Sequence, residues 1–561
     1  MSHPVSDKPV VRHLVEHCRS RGVGHVIISP GSRNAPLTLS FPASGYFNCL
    51  TIVDERSAAY FALGLARRQN KPVALICTSG TAALNYLPAV AEAYYQHIPL
   101  IVMTADRPPE YIDQADGQAV HQERVFHDFV RYHCQLPVDI YAPGDQWMTD
   151  RLLNEAFGNA LGVVRGPVQI NVPFREPLYR RVEAYDESTV RVASFSSPNG
   201  GVDQSLMEEL VRESGGYQKV LMVIGSFLPN EGLSHLVARL RERGVVVLTE
   251  QLYNIDDRGS FDHTDRILEG MADAEAFRPD LLITLDVPVL SKKLKQFLRR
   301  HKPCAHWHFS NQSVLVDTYQ SLTRQISGNA ISILTQWMHN ISFFPFDYYN
   351  LWQKISGFTA EKHEHFLGYV QWSDLEVFRV ISETIPPQGE VHLANSTPVR
   401  YAELFEWPRG LHFFANRGTS GIDGCVSTAA GAAYPGEAPV TLITGDLAFF
   451  YDSNGLWHPY LPPSFRVIVV NNGGGGIFRF IPGPSETEEL EPYFEARGYH
   501  QCRGLAETFG LQYFAAGNKD ELVEVLRHFW DDQGSPALLE IFTPGRENGE
   551  ILKDYFRCLG G

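Results

Sequence analysis

Two short β-branched runs, Thr441-Leu442-Ile443-Thr444-Gly445-Asp446 and Val467-Ile468-Val469-Val470-Asn471-Asn472, constrain this chain more than anything else in it. Each is apolar enough to be buried on both faces, and each stops at an oxygen-bearing side chain. That is the pattern of a parallel strand delivering a ligand group at its carboxyl end. The stretch from Leu447 to Ser464 is long enough for the crossover that parallel neighbours need, so a βαβ unit is predicted. Neighbouring strands lie about 4.8 Å apart, which would let Asp446 and Asn472 share one hard cation. Gly473 to Gly476 follow at once, and backbone without side chains can approach a phosphate or give a carbonyl to the metal.

The same logic recurs at the other end of the chain. His25 to Ile28, Thr51 to Val53, Val73 to Cys77 and Leu100 to Met103 read as strands, with helical patterns between them at Ala58 to Ala66 and Ala83 to Tyr95. Their ends carry the polar clusters 29–33, 54–56, 78–81 and 105–109, where open sheets of this class bind ligands. A middle block has strands at Lys219 to Ile224, Val245 to Leu248, Leu281 to Leu285 and Ala305 to Phe309, but no GxGxxG, so a bound dinucleotide is not expected. The last block has runs at Val391 to Ala394, Leu411 to Ala415, Val440 to Thr444 and Phe465 to Val470. A chain of 561 residues exceeds one core. The expectation is an α/β protein of three doubly wound domains with mainly parallel sheets, at 1–190, 200–345 and 355–561, the first boundary falling in the loop formers at 194–201.

A net charge of −16 argues against nucleic acid or an anionic membrane as the main partner, but not against small anions met by a few focused arginines. Eight cysteines without CxxC spacing suggest reduced thiols. The amino terminus has no apolar signal core and no uninterrupted apolar stretch reaches the roughly 18 residues of a membrane span, so a cytoplasmic protein is expected.

Five motifs are most specific: 29–33 (Ser-Pro-Gly-Ser-Arg), 78–81 (Thr-Ser-Gly-Thr), 104–110 (Thr-Ala-Asp-Arg-Pro-Pro-Glu), 416–424 (Asn-Arg-Gly-Thr-Ser-Gly-Ile-Asp-Gly), and Gly445-Asp446 with Asn471-Asn472. With them the chain resembles the thiamine-diphosphate enzymes of the decarboxylase and acetolactate synthase type along its whole length, and within them the branch serving menaquinone biosynthesis. The resemblance implies a thiamine-diphosphate-binding fold with Mg²⁺, Mn²⁺ being able to replace it, held by Asp446, Asn472 and a carbonyl near Gly474. It implies a cofactor site of Glu55, Ser396, Gly421, Ile422, Gly445, Asp446, Leu447, Asn472, Gly474, Gly475, Ile477 and Phe478. Leu447 departs from the family at large, many members having a second glycine there.

Glu55 would contact the pyrimidine nitrogen N1′ and share a proton with it, and Ile422 would prop the cofactor in its bent form. Ile477 and Phe478 would give an apolar wall. The implied reaction is decarboxylation of 2-oxoglutarate and 1,4-addition of the succinyl unit to isochorismate. Both substrates are dianions, and the matching donors are Arg33, Arg107, Lys292, Arg400 and Arg417, with Ser32, Gln118 and Ser396. Because the family's cofactor bridges two subunits, a homodimer or dimer of dimers is implied. Read alone, the same residues also suit plainer roles: Asp446 a helix cap, Glu55 a helix-start carboxylate, Ile422 core, Arg107 a loop brace and Arg400 a helix cover. Lys292 suits solvent, and Lys293 suits its assignment equally. A small-keto-acid enzyme such as an acetolactate synthase, and an idle nucleotide-binding protein, are the rival readings.

Overall fold

The computed structural model describes residues 4–183, 190–194, 203–226, 228–254, 261–481, 483–498, 500–531 and 534–560. The boundary expected at 194–201 lies, apart from Ser194, outside them. Three parallel sheets organise the rest. The first has six strands, in chain order His25–Ile28, Asn48–Thr51, Val73–Cys77, Leu100–Asp106, Tyr132–Gln135 and Val168–Pro173. Their spatial order is second, first, third, fourth, sixth, fifth. The last sheet repeats that order with Gly389–Leu393, Leu411–Phe414, Val440–Gly445, Phe465–Asn471, Gln512–Ala516 and Ala537–Phe542. Between them in sequence lies a five-stranded parallel sheet of Val220–Val223, Val246–Leu248, Leu281–Leu285, Ala305–Phe309 and Arg324–Ile326.

In both six-stranded sheets the winding direction reverses between the first and third strands. The crevice beyond their carboxyl ends is therefore where such a sheet takes a ligand. In the last sheet that crevice opens between Leu393 and Gly445, next to the strand ending at Asn471.

Two expected elements shift. The strand read at Thr51 to Val53 ends at Thr51, because Val53 is exposed and Asp54 caps the next helix by accepting from the backbone N–H groups of Arg56 and Ser57. The helical pattern from Ala83 to Tyr95 is two helices, Thr81–Asn85 and Leu87–Tyr95, with Pro88 in the second one's first turn, where its missing N–H costs no bond.

The outer layers share one core. Helix Glu55–Gln69 lies against helix Cys425–Ala433, and both faces are built from small residues: Ala58, Ala59, Ala62 and Ala66 against Val426, Ala429, Ala430 and Ala433. Small side chains let the two backbones approach closely. The start of the first helix is thereby fixed against the last sheet's crossover, where the Arg56 guanidinium donates to the Tyr451 carbonyl (2.7 Å) and Asn454 donates to Asp54 (2.7 Å). All eight cysteines are free, and among the described residues no helix is long and apolar enough to cross a membrane.

Candidate active site

Strand register brings the two opening motifs together. Gly445 is paired with Val470, so Asp446 and Asn472 project past the same end of adjacent strands. Asp446 is 4 % exposed, and burial pushes its carboxyl up to about 7, against the N–H groups of Leu447 and Gly474 that favour its charge. Among the described residues no cation is paired with it.

Asn472 is oriented by a residue far away in sequence. Its Nδ2 donates to Oδ2 of Asp374 (3.0 Å), and the other oxygen of Asp374 accepts from Thr543 (2.6 Å) and Asn548 (2.8 Å). A carboxylate only accepts, so the amide nitrogen must face it and Oδ1 is turned away. That Oδ1 is buried and has no partner. A buried carboxylate, an orphaned amide oxygen and a glycine backbone form an oxygen-only donor set that fits Mg²⁺ or Mn²⁺. Gly474 stands at φ +152°, and a Cβ there would come within 2.7 Å of the Glu495 carbonyl, so this turn needs glycine.

The loop 416–424 rises beside this site under three anchors. Asn395, at the end of the first strand of the sheet, donates to the carbonyls of Asn416 and Gly421 (both 2.7 Å) and accepts from Arg417 (2.7 Å). Glu92, fully buried in helix Leu87–Tyr95 of the first layer, accepts from the backbone N–H groups of Gly418 (2.7 Å) and Thr419 (2.6 Å) and from the Thr419 hydroxyl (2.6 Å). Ile422 packs on Ala394, Cys425 and Ala448, of which Ala394 directly follows a strand and Ala448 lies two residues beyond Asp446. Ser396 holds a left-handed φ of 81°, unusual for a residue with a Cβ, at the turn into helix Pro398–Ala402.

In the first layer a second group of predicted residues collects. Glu55 opens helix Glu55–Gln69, yet burial raises its pKa despite the N-terminal N–H its carboxylate receives. It lies by the strand end at Cys77, whose thiol is pushed up first by burial and next by the Glu55 charge. Arg33, 6 % exposed, donates to the Phe174 carbonyl (2.9 Å) and feels the repulsion of Arg107. Arg107 donates to the Gly117 carbonyl (2.9 Å), beside Gln118, another residue with positive φ (58°). Ser32 is exposed next to Arg33. Buried Gln122 ties this end together, accepting from Gly80 N–H (3.2 Å) and donating to the Ala105 carbonyl (2.9 Å).

The remaining cations divide between two cavities. Lys292 and Arg400 line one of 710 Å³, together with Lys293, Lys553, Arg557, Asp265 and Glu269, a clear excess of positive charge. Lys293 is committed to Glu269 (2.5 Å) and to the face of Phe556, whereas Lys292 has no such pairing among the described residues, which favours Lys292 over Lys293 for a substrate carboxylate. Its apolar lining includes Phe480, Ile481, Leu404 and Leu552. Ile477 and Phe478 sit in the short helix Gly476–Arg479, the Phe478 ring tilted against that of Phe494 (5.6 Å between centroids), while Phe480 and Ile481 just beyond reach this lining. Arg417 lines the other cavity, of 560 Å³, with Lys295. Burial lowers the pKa of Arg33, Arg400 and Arg417 alike, and Arg33 is paired with the exposed Glu176 (3.3 Å); desolvated guanidinium groups of this kind bind carboxylates well. The Arg400 Nε is buried without a partner.

Asp374, Glu92 and Glu250, the last at the end of strand Val246–Leu248, were not legible as site residues from their own motifs. A lone acid in the apolar helix Leu87–Tyr95, and an acid closing the run 245–250, are nevertheless signals of the kind that marked Asp446.

Comparison with known proteins gives a consistent picture. A family model described as "Thiamine pyrophosphate enzyme, N-terminal TPP binding domain" matches residues 9–129, and one described as "Thiamine pyrophosphate enzyme, C-terminal TPP binding domain" matches residues 396–541. The 2-succinyl-5-enolpyruvyl-6-hydroxy-3-cyclohexene-1-carboxylate synthase of Porphyromonas gingivalis is 40 % identical over 100 % of this chain and 99 % of its own. Proteins of the same name from Christiangramia forsetii and Flavobacterium psychrophilum are 38 % and 37 % identical, each over 98 % of this chain and 99 % of theirs.

Proposed function

The chain belongs to the 2-succinyl-5-enolpyruvyl-6-hydroxy-3-cyclohexene-1-carboxylate synthases, and from that premise we propose that it decarboxylates 2-oxoglutarate and adds the succinyl unit to isochorismate by 1,4-addition. It is a thiamine-diphosphate-dependent transferase of menaquinone biosynthesis that couples decarboxylation to carboligation. The relatives' product carries a succinyl group on a carboxylated ring. A five-carbon 2-oxo diacid leaves such a unit on losing CO₂.

The observation that carries the reading is the cavity of Lys292 and Arg400, whose excess of positive charge suits polyanions and not a small monoanionic keto acid. The acetolactate synthase alternative is not favoured. Thiamine diphosphate, when bound, supplies a stabilised carbanion equivalent for the donor's keto carbon. Asp446, the Asn472 Oδ1 and backbone near Gly474 would hold Mg²⁺ and with it the diphosphate. Glu55, its pKa raised by burial, would exchange a proton at N1′ of the pyrimidine. Ile422 would give the cofactor an apolar support, and Arg33, Arg107, Arg400, Arg417 and Lys292 would bind and orient carboxylates. Gln118, Ser32 and Ser396 would serve as neutral donors.

A homodimer completes the reading. Among the described residues the 710 Å³ cavity is lined by ones from Asp265 onward, and the first-layer group of Glu55, Arg33 and Arg107 lies outside that lining. This supports a site closed by the first layer of a second copy. The test is purified protein with Mg²⁺, thiamine diphosphate and 2-oxoglutarate, with and without isochorismate, followed by mass spectrometry. Cofactor-dependent CO₂ release and a succinylated adduct are expected. Preference for pyruvate, or no adduct, refutes the assignment.

A further inference from the structure

Lys292 opens a helix of the central layer, and Glu250 of that layer holds the chain just before it. Glu250 follows strand Val246–Leu248 and is 6 % exposed, and its carboxylate is spent on two backbone donors: Oε2 accepts from Leu290 N–H (2.7 Å) and Oε1 from Ser291 N–H (2.7 Å). Ser291 caps helix Lys292–Arg300 by accepting from Leu294 N–H (2.9 Å), and its hydroxyl donates to Asp265. Glu250 therefore grips the chain immediately before Lys292. The next residue grips the other side. Gln251 N–H donates to both oxygens of Glu403 (3.0 and 2.9 Å), and its side-chain amide donates to the Phe405 carbonyl (3.2 Å). Glu403 directly follows helix Pro398–Ala402, which carries Arg400. One two-residue segment thus holds the backbone just before Lys292 and, on the Arg400 side, the Glu403 side chain and the Phe405 carbonyl that follow its helix.

The charges around Glu250 fit the same role. Burial raises its pKa, with Asp265 adding to the rise, while its two N–H donors and Arg417 oppose it. Arg400 and Lys295 in turn feel the Glu250 charge as favourable. A buried carboxylate is costly unless hydrogen-bonded and paired, and this one is both.

We infer that Glu250 is a positioning residue for substrate recognition, a central-layer clamp that sets the spacing of Lys292 and Arg400 and acts as counter-charge to the cations beside it. The inference rests on the reaction assigned above. An amide at this position offers one acceptor oxygen where the carboxylate offers two, and it turns an NH₂ group towards a backbone donor. Lys292 and Arg400 would remain present but lose their fixed spacing.

The experiment compares Glu250→Gln and Glu250→Asp with wild type as holoenzymes, by steady-state kinetics with both substrates and by thiamine diphosphate titration. Glu250→Gln is expected to raise the KM of at least one substrate by about tenfold or more while kcat falls less than about threefold, the split expected of lost ground-state contacts. Thiamine diphosphate affinity should stay within about twofold. Glu250→Asp keeps the charge and should recover part of the loss. It also serves as the readout if the glutamine variant does not fold. If neither variant moves a KM by more than about twofold, or if kcat and cofactor affinity fall together with KM unchanged, the inference is overturned. Wild-type protein that releases no CO₂ from 2-oxoglutarate overturns both the assignment and the inference, whereas an active wild type with indifferent variants overturns the inference alone.

Discussion

Asp446→Asn should make the metal-free protein more stable while destroying its response to cofactor. Asp446 has its carboxyl raised to about 7 by burial, then by the neighbouring charge of Asp374, against an unfolded value near 3.8. A group whose folded pKa lies above its unfolded one contributes fully below the unfolded value, and that contribution is lost as pH rises through the folded value. In the metal-free protein the ionised Asp446 is therefore a liability at high pH. A gap of about three units at 1.36 kcal/mol each sets a ceiling of about 4 kcal/mol near pH 8, shrinking to about 1.5 kcal/mol near pH 5.

Asparagine does not titrate and escapes this cost. In chelator, thermal unfolding of Asp446→Asn should occur several degrees above wild type near pH 8, with a smaller gap near pH 5. Adding Mg²⁺ and thiamine diphosphate at about 100 times their Kd should add about 2.7 kcal/mol to wild type alone, narrowing the gap near pH 8 and reversing the order near pH 5. If the metal-free variant melts no higher than wild type near pH 8, if the gap does not narrow on acidification, or if both proteins gain equally from the ligands, the assignment of Asp446 is wrong.

Three further outcomes follow from the same geometry. Glu55→Gln should fold and bind cofactor but lose about 10²- to 10⁴-fold in turnover, the usual span of a lost acid–base group, and undiminished turnover would remove Glu55 from that role. Arg400→Ala should raise the KM of a substrate by about 10- to 150-fold, corresponding to a charge-assisted bond of about 1.5–3 kcal/mol, with cofactor affinity unaltered; equal loss of both in titration and kinetics contradicts it. Gly64→Ala places a Cβ 2.0 Å from the Thr428 carbonyl oxygen, between the two helices that join the outer layers. It should cost about 1–3 kcal/mol or more in thermal unfolding, and an unchanged melting temperature would show that the contact can relax.

What the sequence revealed follows from how locally each feature is determined. The strands found first are β-branched runs buried on both faces, such as Val73–Cys77 and Phe465–Asn471, where period and composition agree. Tyr132–Gln135, Gln512–Ala516 and Arg324–Ile326 are edge strands with partly exposed, polar or aromatic residues, and their runs do not stand out. Val168–Pro173 hides for another reason. Its Gln169 and Asn171 are fully buried, the Gln169 amide nitrogen donating to the Gln122 carbonyl and Asn171 bonding with Thr104, Gln122, Asp106 and Gln135, partners that only the fold supplies. Likewise Asp446 and Asn472 end their own strands and are legible, whereas Asp374, which fixes the asparagine amide, is a helix-start aspartate indistinguishable in sequence from a cap.

The illegible residues share one physical character. Glu92, Glu250, Glu403 and Asp374 are buried carboxylates that accept hydrogen bonds from an element remote in sequence, two of them, Glu92 and Glu403, reaching between layers. Apolar packing is non-directional and holds two layers together without fixing a side chain's bearing. A carboxylate receiving two N–H groups fixes both distance and orientation, and burial makes any slack expensive because an unpaired buried charge has no water to retreat to. A site that must align cations from a helix of the central layer with cations and metal ligands of the last sheet needs that directional kind of joint. The apolar cores therefore specify which layers meet, and the buried acids specify how far apart Lys292, Arg400 and Arg417 stand when they do.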